Sequence, residues 1–285
     1  MSAYLEREGV DVARTRTAYD EMAQLNAQYG ELATDVGLAA GGALPPPFGT
    51  AADLASLGRS LWKGDWGGAL LDVVGLVPIL GDGAKAGKIA KRLDDLRRAI
   101  DTAATGLRRA FTRTNAAAGK YWDDVVKANR EAYEQALRNC DGSRACREAA
   151  AAKKGPQYEQ TPVSGDRGEW VSGERGDGVF QPADPSKPPI AYRNGFPDLS
   201  PHAQHSVDIP MRGNHSTDFT KADQAVRDRL GDPDWRRPEG YTWHHKENGT
   251  TMELVPQDIH STAKGGYATH SGGASLYKGQ HAEGF

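Results

Sequence analysis

The first 201 residues of this 285-residue chain contain no histidine. Cysteine is almost as scarce: there are two, Cys140 and Cys146. Two are too few for a disulfide framework, so a local bridge and a pair of free thiols near a helix end both stay open. Residues 64–82 are the most apolar part of the sequence. Asp72 interrupts it, and the run at 73–81 falls far short of the ~20 residues that cross a bilayer as a helix. The N-terminus, Met-Ser-Ala-Tyr-Leu-Glu-Arg-Glu, lacks a basic segment followed by an apolar one, so no cleaved secretory signal is expected. There is no His-Glu-x-x-His, which argues against zincin proteolysis, and no Walker loop; no Ser-His-Asp pattern stands out. A formal net charge of −3 with 38% hydrophobic residues describes a soluble globular chain rather than a polycation.

The histidines that exist are crowded together. All eight lie between residues 202 and 281, and four of them, His244, His245, His260 and His270, fall within residues 240–273. Imidazole is the commonest metal ligand and the side chain that changes charge near neutral pH, so such clustering points to a site. The surrounding residues predict its scaffold. Tyr241 to His245 alternates aromatic and polar residues, Asn248-Gly249 is a two-residue hairpin signal, and Thr251 to Val255 is a second β-prone run. Pro256 closes that strand. Gln257 to Ala263 reads as a short helix with Asp258 in its first turn, where negative charge suits the dipole. Neighbouring strand residues face opposite ways. His244 and His245 therefore divide into a metal ligand and a candidate general base.

These residues, in this order, resemble the Trp-His-His branch of the HNH (ββα-metal) endonuclease superfamily, found as the C-terminal toxin module of bacterial polymorphic toxins. The resemblance rests on Gly240-Tyr-Thr-Trp-His-His245, Met252-Glu-Leu-Val-Pro256, His260 and His270-Ser-Gly-Gly273. Phe196-Pro-Asp-Leu-Ser-Pro201, Met211-Arg-Gly-Asn-His-Ser-Thr-Asp-Phe219 and Trp170-Val-Ser-Gly-Glu-Arg-Gly176 look like the lead-in to such a module. It implies His244, His260 and His270 as ligands of a divalent metal ion (Mg, Mn, Zn or Ni), and His245 as the base that activates water. His270 lies ten residues beyond His260. On an unbroken helix the two would be about 15 Å apart. Gly265-Gly266 can break the helix and let 267–270 fold back; if the helix runs on, water or a carboxylate such as Asp258 completes the shell. Glu174 and Arg175 are candidate substrate contacts, Arg175 holding a phosphate, or else a turn with a solvated ion pair. Trp243 is expected to anchor the hairpin core.

Before residue 150 helical spacing dominates. Tyr19, Met22, Leu25, Tyr29, Leu32 and Val36 mark one apolar face; Ile89, Leu93, Leu96, Ile100, Leu107 and Phe111 mark a second; Trp122, Val126, Tyr133 and Leu137 mark a third. Pro45-Pro46-Pro47 breaks the pattern, and residues 50–53 offer a capping box. The expected fold class is α+β, an α-helical N-terminal region followed by a ββα-metal nuclease domain. The expected boundaries are 1–150 for a helical delivery region, 151–165 for a linker and 166–285 for the nuclease.

The functional expectation is a secreted antibacterial effector that hydrolyses nucleic-acid phosphodiester bonds, with DNA ahead of RNA. Export without a cleaved signal and action in the cytoplasm of a target bacterium go with it. The resemblance further implies a cognate immunity protein, and a secretion-system adaptor or chaperone that contacts the N-terminal helices. Two alternatives stand beside it: a ribonuclease using the same site, and a membrane-active effector acting through the N-terminal apolar helices. Residues 191–285 carry ten Lys/Arg against twelve Asp/Glu, a slightly acidic balance that runs against duplex binding by counterion release.

Overall fold

The computed structural model describes residues 1–39 and 83–278. The apolar stretch at 64–82, the prolines at 45–47, the cap at 50–53 and His281 lie outside the described residues. The chain is α+β. In order it forms α1 (Ser2–Arg7), α2 (Val12–Ala39), α3 (Gly83–Arg138), α4 (Arg144–Ala151), α5 (Pro156–Glu159), β1 (Gly168–Glu174), β2 (Asp177–Pro182), β3 (Ile190–Arg193), β4 (Phe196–Pro197), β5 (His205–Asp208), α6 (His215–Leu230), β6 (Tyr241–His245), β7 (Thr251–Pro256), α7 (Gln257–His260) and α8 (Gly273–Lys278). Among the described residues no helix is long and apolar enough to cross a membrane. Cys140 and Cys146 are bonded to each other, six residues apart, just after α3.

The chain divides into two compact units, one of Ala13–Phe111 with Asp223–Arg236, the other of Met1–Val12, Thr112–Ala222 and the chain from Arg237 onward. The described residues of the first are mainly helical. Among its buried residues, Tyr19, Met22, Tyr29, Ile100, Leu107 and Phe111 fall on the helical faces that the sequence marks, and Ala225 and Val226 of α6 are buried as well.

The second unit holds both sheets. Strands β1-β2-β3-β4 form an antiparallel meander, and β5-β7-β6 a three-stranded antiparallel sheet with β7 in the centre. Phe180, Ile190, Tyr192 and Leu199 join Val255, Ile259, Tyr267 and Ala268 in one core cluster, so the meander forms a wall behind the β7–α7 corner. The part of α3 from Thr112 on belongs to this unit. Its Trp122 is buried, packs edge-on to Phe196 at 4.8 Å between ring centroids, and donates its indole N–H to the carbonyl oxygen of Glu247, 2.9 Å away. Thr250 Oγ1 and Asn115 Oδ1 form a second hydrogen bond between the same hairpin and helix.

The hairpin between β6 and β7 has the expected strands but not the expected two-residue turn. Four residues, 247–250, separate the Lys246–Thr251 pair, where the Lys246 N–H donates to the Thr251 carbonyl. The Asn248 side-chain oxygen accepts from the backbone N–H of both Thr250 and Thr251, which opens the last rung. Gly249 has a positive φ of 79° and Asn248 does not, whereas a two-residue type I′ turn needs positive φ at both.

Candidate active site

The β6–β7 register pairs His244 with Glu253 and His245 with Met252. Side chains alternate along a strand. His244 therefore shares one sheet face with Glu253 and Val255, and His245 shares the other with Trp243, Met252 and Leu254. Trp243 is only 1% exposed, a hindrance to base stacking and a fit to the anchoring role expected of it.

On the first face three imidazoles converge. Ring centroids of His244 and His260 are 5.3 Å apart, those of His244 and His270 5.0 Å, and those of His260 and His270 5.2 Å, a nearly equilateral triangle. One ring nitrogen from each lies within 4.8 Å of the other two. His260 ends α7. His270 reaches the triangle because the chain reverses at the glycine pair. Gly265 adopts φ 81° after a short 3₁₀ turn, Thr262–Lys264. Gly266 then donates its N–H to the Ser261 carbonyl, and Tyr267 and Ala268 both donate to the Ile259 carbonyl. A Cβ at Gly266 would lie 2.5 Å from the Ser261 nitrogen, so the reversal is closed to a side chain. Asp258 is exposed and falls outside the cluster.

The hydrogen bonds around the rings set their tautomers. His270 Nδ1 lies 2.9 Å from the Ala268 carbonyl oxygen, which can only accept, so Nδ1 carries the proton. His244 Nδ1 lies 3.3 Å from Oε2 of Glu253, whose other oxygen accepts from Lys246 Nζ at 3.2 Å. Nε2 of each ring is left with its lone pair. Burial, then the charges of His270, His245 and Lys246, push His244 well below its ordinary pKa. Burial, followed by the neighbouring histidines, pushes His260 down to about 2. Burial also lowers His270, against its bond to Ala268. The three rings are neutral at physiological pH, the form that binds a metal. The donor set thus fits a divalent ion, with Glu253 as the outer partner that orients a ligand histidine.

On the second face, Nε2 of His245 lies 3.1 Å from Oδ2 of Asp218. Both side chains are buried, at 3% and 0% exposure. Asp218 also accepts from the backbone N–H of Arg212 and Asn214. Burial pushes its carboxyl up, but these three donors outweigh burial and hold it below the usual aspartate value. The rings of His215 and Phe219, one turn apart on α6, lie 5.4 Å and 5.7 Å from His245, and the Arg237 guanidinium sits 5.1 Å over Phe219. Gly273 brings α8 against the same strand: a Cβ there would lie 2.2 Å from the His245 carbonyl oxygen.

Glu174 and Arg175 are elsewhere. Arg175 donates to the carbonyl oxygens of Tyr158, Glu159 and Thr161 and to Thr161 Oγ1, closing the loop after α5. Exposed Glu174 pairs with Lys154 at 2.9 Å. Glu253 and Asp218 had no assigned role in the sequence reading, although both lie inside motifs it quoted. The hairpin offered a signal for Glu253, since counting outward from Asn248-Gly249 sets it opposite His244. For Asp218, which meets His245 from 27 residues away, no spacing rule served.

Residues 235–280 match a family described as a nuclease of the HNH/ENDO VII superfamily with conserved WHH. Trp243, His244 and His245 supply that tripeptide, and the match takes in His260 and His270 but stops short of Asp218 and of the meander. No curated protein matches the chain. The matched segment supports nucleic-acid hydrolysis.

Proposed function

We propose that this protein is a metal-dependent endonuclease with DNA as its substrate, in which His244, His260 and His270 hold a divalent ion and His245 is the general base. The observation that carries the reading is the division of labour across β6: three imidazoles converge on one face, and His245 lies on the other, paired with Asp218. When bound, the ion supplies positive charge to the scissile phosphate and the leaving oxygen. An all-imidazole donor set favours Zn or Ni over Mg, which prefers oxygen ligands. Glu253 holds the Nδ1 proton of His244 and the Ala268 carbonyl that of His270, so both rings keep Nε2 for the ion. With Nε2 of His245 facing Asp218, Nδ1 is the nitrogen that takes a proton from the attacking water.

The wider setting belongs to the same proposal. Resemblance to polymorphic-toxin modules supports an antibacterial effector that is exported, acts in a rival's cytoplasm and is held in check in the producer by a cognate immunity protein. The helical region at 1–150 is proposed to contact a secretion adaptor or chaperone, with 166–285 as the nuclease domain.

The test is cleavage of supercoiled plasmid and of total RNA by the full chain, with Zn, Ni, Mn or Mg and with chelator. Metal-dependent nicking of plasmid that His245→Ala loses by about 10²–10⁴-fold, with metal still bound, is the expected result. Cleavage of RNA alone would replace the DNA assignment. Full activity in chelator would overturn the metal role.

A further inference from the structure

We propose that Asp218 is the positioning residue of this site, fixing the proton of His245 on Nε2 so that Nδ1 is the basic atom. The inference rests on the reading of His245 as the base. Asp218 lies outside the stretch that matches the nuclease family, 27 residues before His245.

A neutral imidazole holds one proton on either of two nitrogens, and a base works only if the reacting nitrogen is the bare one. The choice is made by whatever the other nitrogen bonds to. Here that group is a carboxylate, which accepts and cannot donate, so the Nε2 that faces it at 3.1 Å must carry the hydrogen. The carboxylate is itself held in place. Its oxygens accept from the N–H groups of Arg212 and Asn214, which lead into α6, and Asn214 caps that helix by accepting from the Thr217 N–H. Asp218 is fully buried, so water does not compete for its lone pairs. His215 and Phe219, on the same helix turn, pack against the imidazole and restrict its rotation. Nothing else that Asp218 touches explains a buried carboxylate on this face, because the two N–H groups could be satisfied by a neutral acceptor such as asparagine.

That last point supplies the variant. Asp218→Asn keeps size and an acceptor for the loop, and its amide can donate to Nε2, which drives the imidazole proton to Nδ1. The experiment measures single-turnover cleavage, KM, metal affinity and the ¹⁵N shifts of the His245 ring in metal-loaded full-length protein. The expected result is a loss in kcat of about 10²-fold or more, of the kind seen when a triad aspartate is made asparagine, with KM and metal affinity unchanged and the ring proton moved to Nδ1. Should Asp218→Asn not fold, Asp218→Ser keeps an acceptor for the loop while removing the carboxylate, and the same kcat loss is expected. Cleavage within threefold of wild type in a folded variant would overturn the proposal, and so would a fall in kcat with the proton still on Nε2. His245→Ala run in parallel keeps the two readings apart: if it too cleaves normally, the base assignment has failed, and if it alone is dead, the role of Asp218 has.

Discussion

Glu253 and His244 face each other across the β6–β7 ladder, the carboxylate 3.3 Å from Nδ1 of the ring, and both are almost wholly buried. A carboxylate in that position raises the basicity of the opposite nitrogen and fixes the direction in which it points.

Replacing Glu253 by Gln is therefore expected to weaken metal binding by about 10–100-fold while leaving the hairpin folded. Competition with a chromophoric chelator measures it. Unaltered affinity would reduce Glu253 to a partner of Lys246.

The near-equal spacing of the three rings predicts that His244→Ala, His260→Ala and His270→Ala each lose more affinity than the Glu253 variant does. Their effects should lie beyond the about 100-fold upper end for an outer partner. Titration calorimetry on each variant decides. His270→Ala binding as tightly as wild type would remove that ring from the site and make 270–273 a structural turn.

Acid should destabilise the metal-free protein. Burial holds His244, His260 and His270 below their ordinary value of 6.5, so the unfolded chain takes up protons that the folded one refuses. Stability is then fully present above pH 6.5 and falls as pH drops below it. The slope is about 1.4 kcal/mol per pH unit for each histidine protonated only in the unfolded state. Urea unfolding in chelator between pH 7.5 and 5.5 gives that slope, and a flat profile would mean that the rings are accessible to protons in the folded state. Saturating metal should steepen the loss, since protons then also compete for the ligands.

Trp122→Ala should cost about 3–5 kcal/mol, the usual range for emptying a buried aromatic site. The indole N–H bond to Glu247 and the contact with Phe196 are lost together. Denaturant melts monitored in the nuclease unit test this. A change below about 1 kcal/mol would show that α3 merely lies alongside the hairpin.

The scaffold was legible where the physics is local. Tyr241–His245 forms the strand that its aromatic-polar alternation suggests, although Trp243, His244 and His245 are all buried, so both faces of β6 are covered. The glycine pair at 265–266 marked the reversal, since Gly265 takes a conformation that disfavours side chains and Gly266 an approach that excludes them. The turn was misjudged because Asn248 uses its side chain to hold two backbone N–H groups, a competition that dipeptide statistics do not contain. Asp218 was opaque for a different reason. Its partner is set by how α6 settles against β6, a tertiary fact with no period in the sequence. Arg175 shows the reverse hazard: a charged residue in a promising tripeptide is occupied in tying down its own loop.

The indole of Trp122 reaches the hairpin tip from a helix that begins at residue 83. A protease nicking the chain between 139 and 167 would thus cut the polypeptide without parting its halves. The segment from Thr112 to Arg138 would stay on as a bound peptide, a splint against the turn that follows His244 and His245. An inhibitor that pried this splint away would disarm the site from behind, with no contact to a single ligand or base.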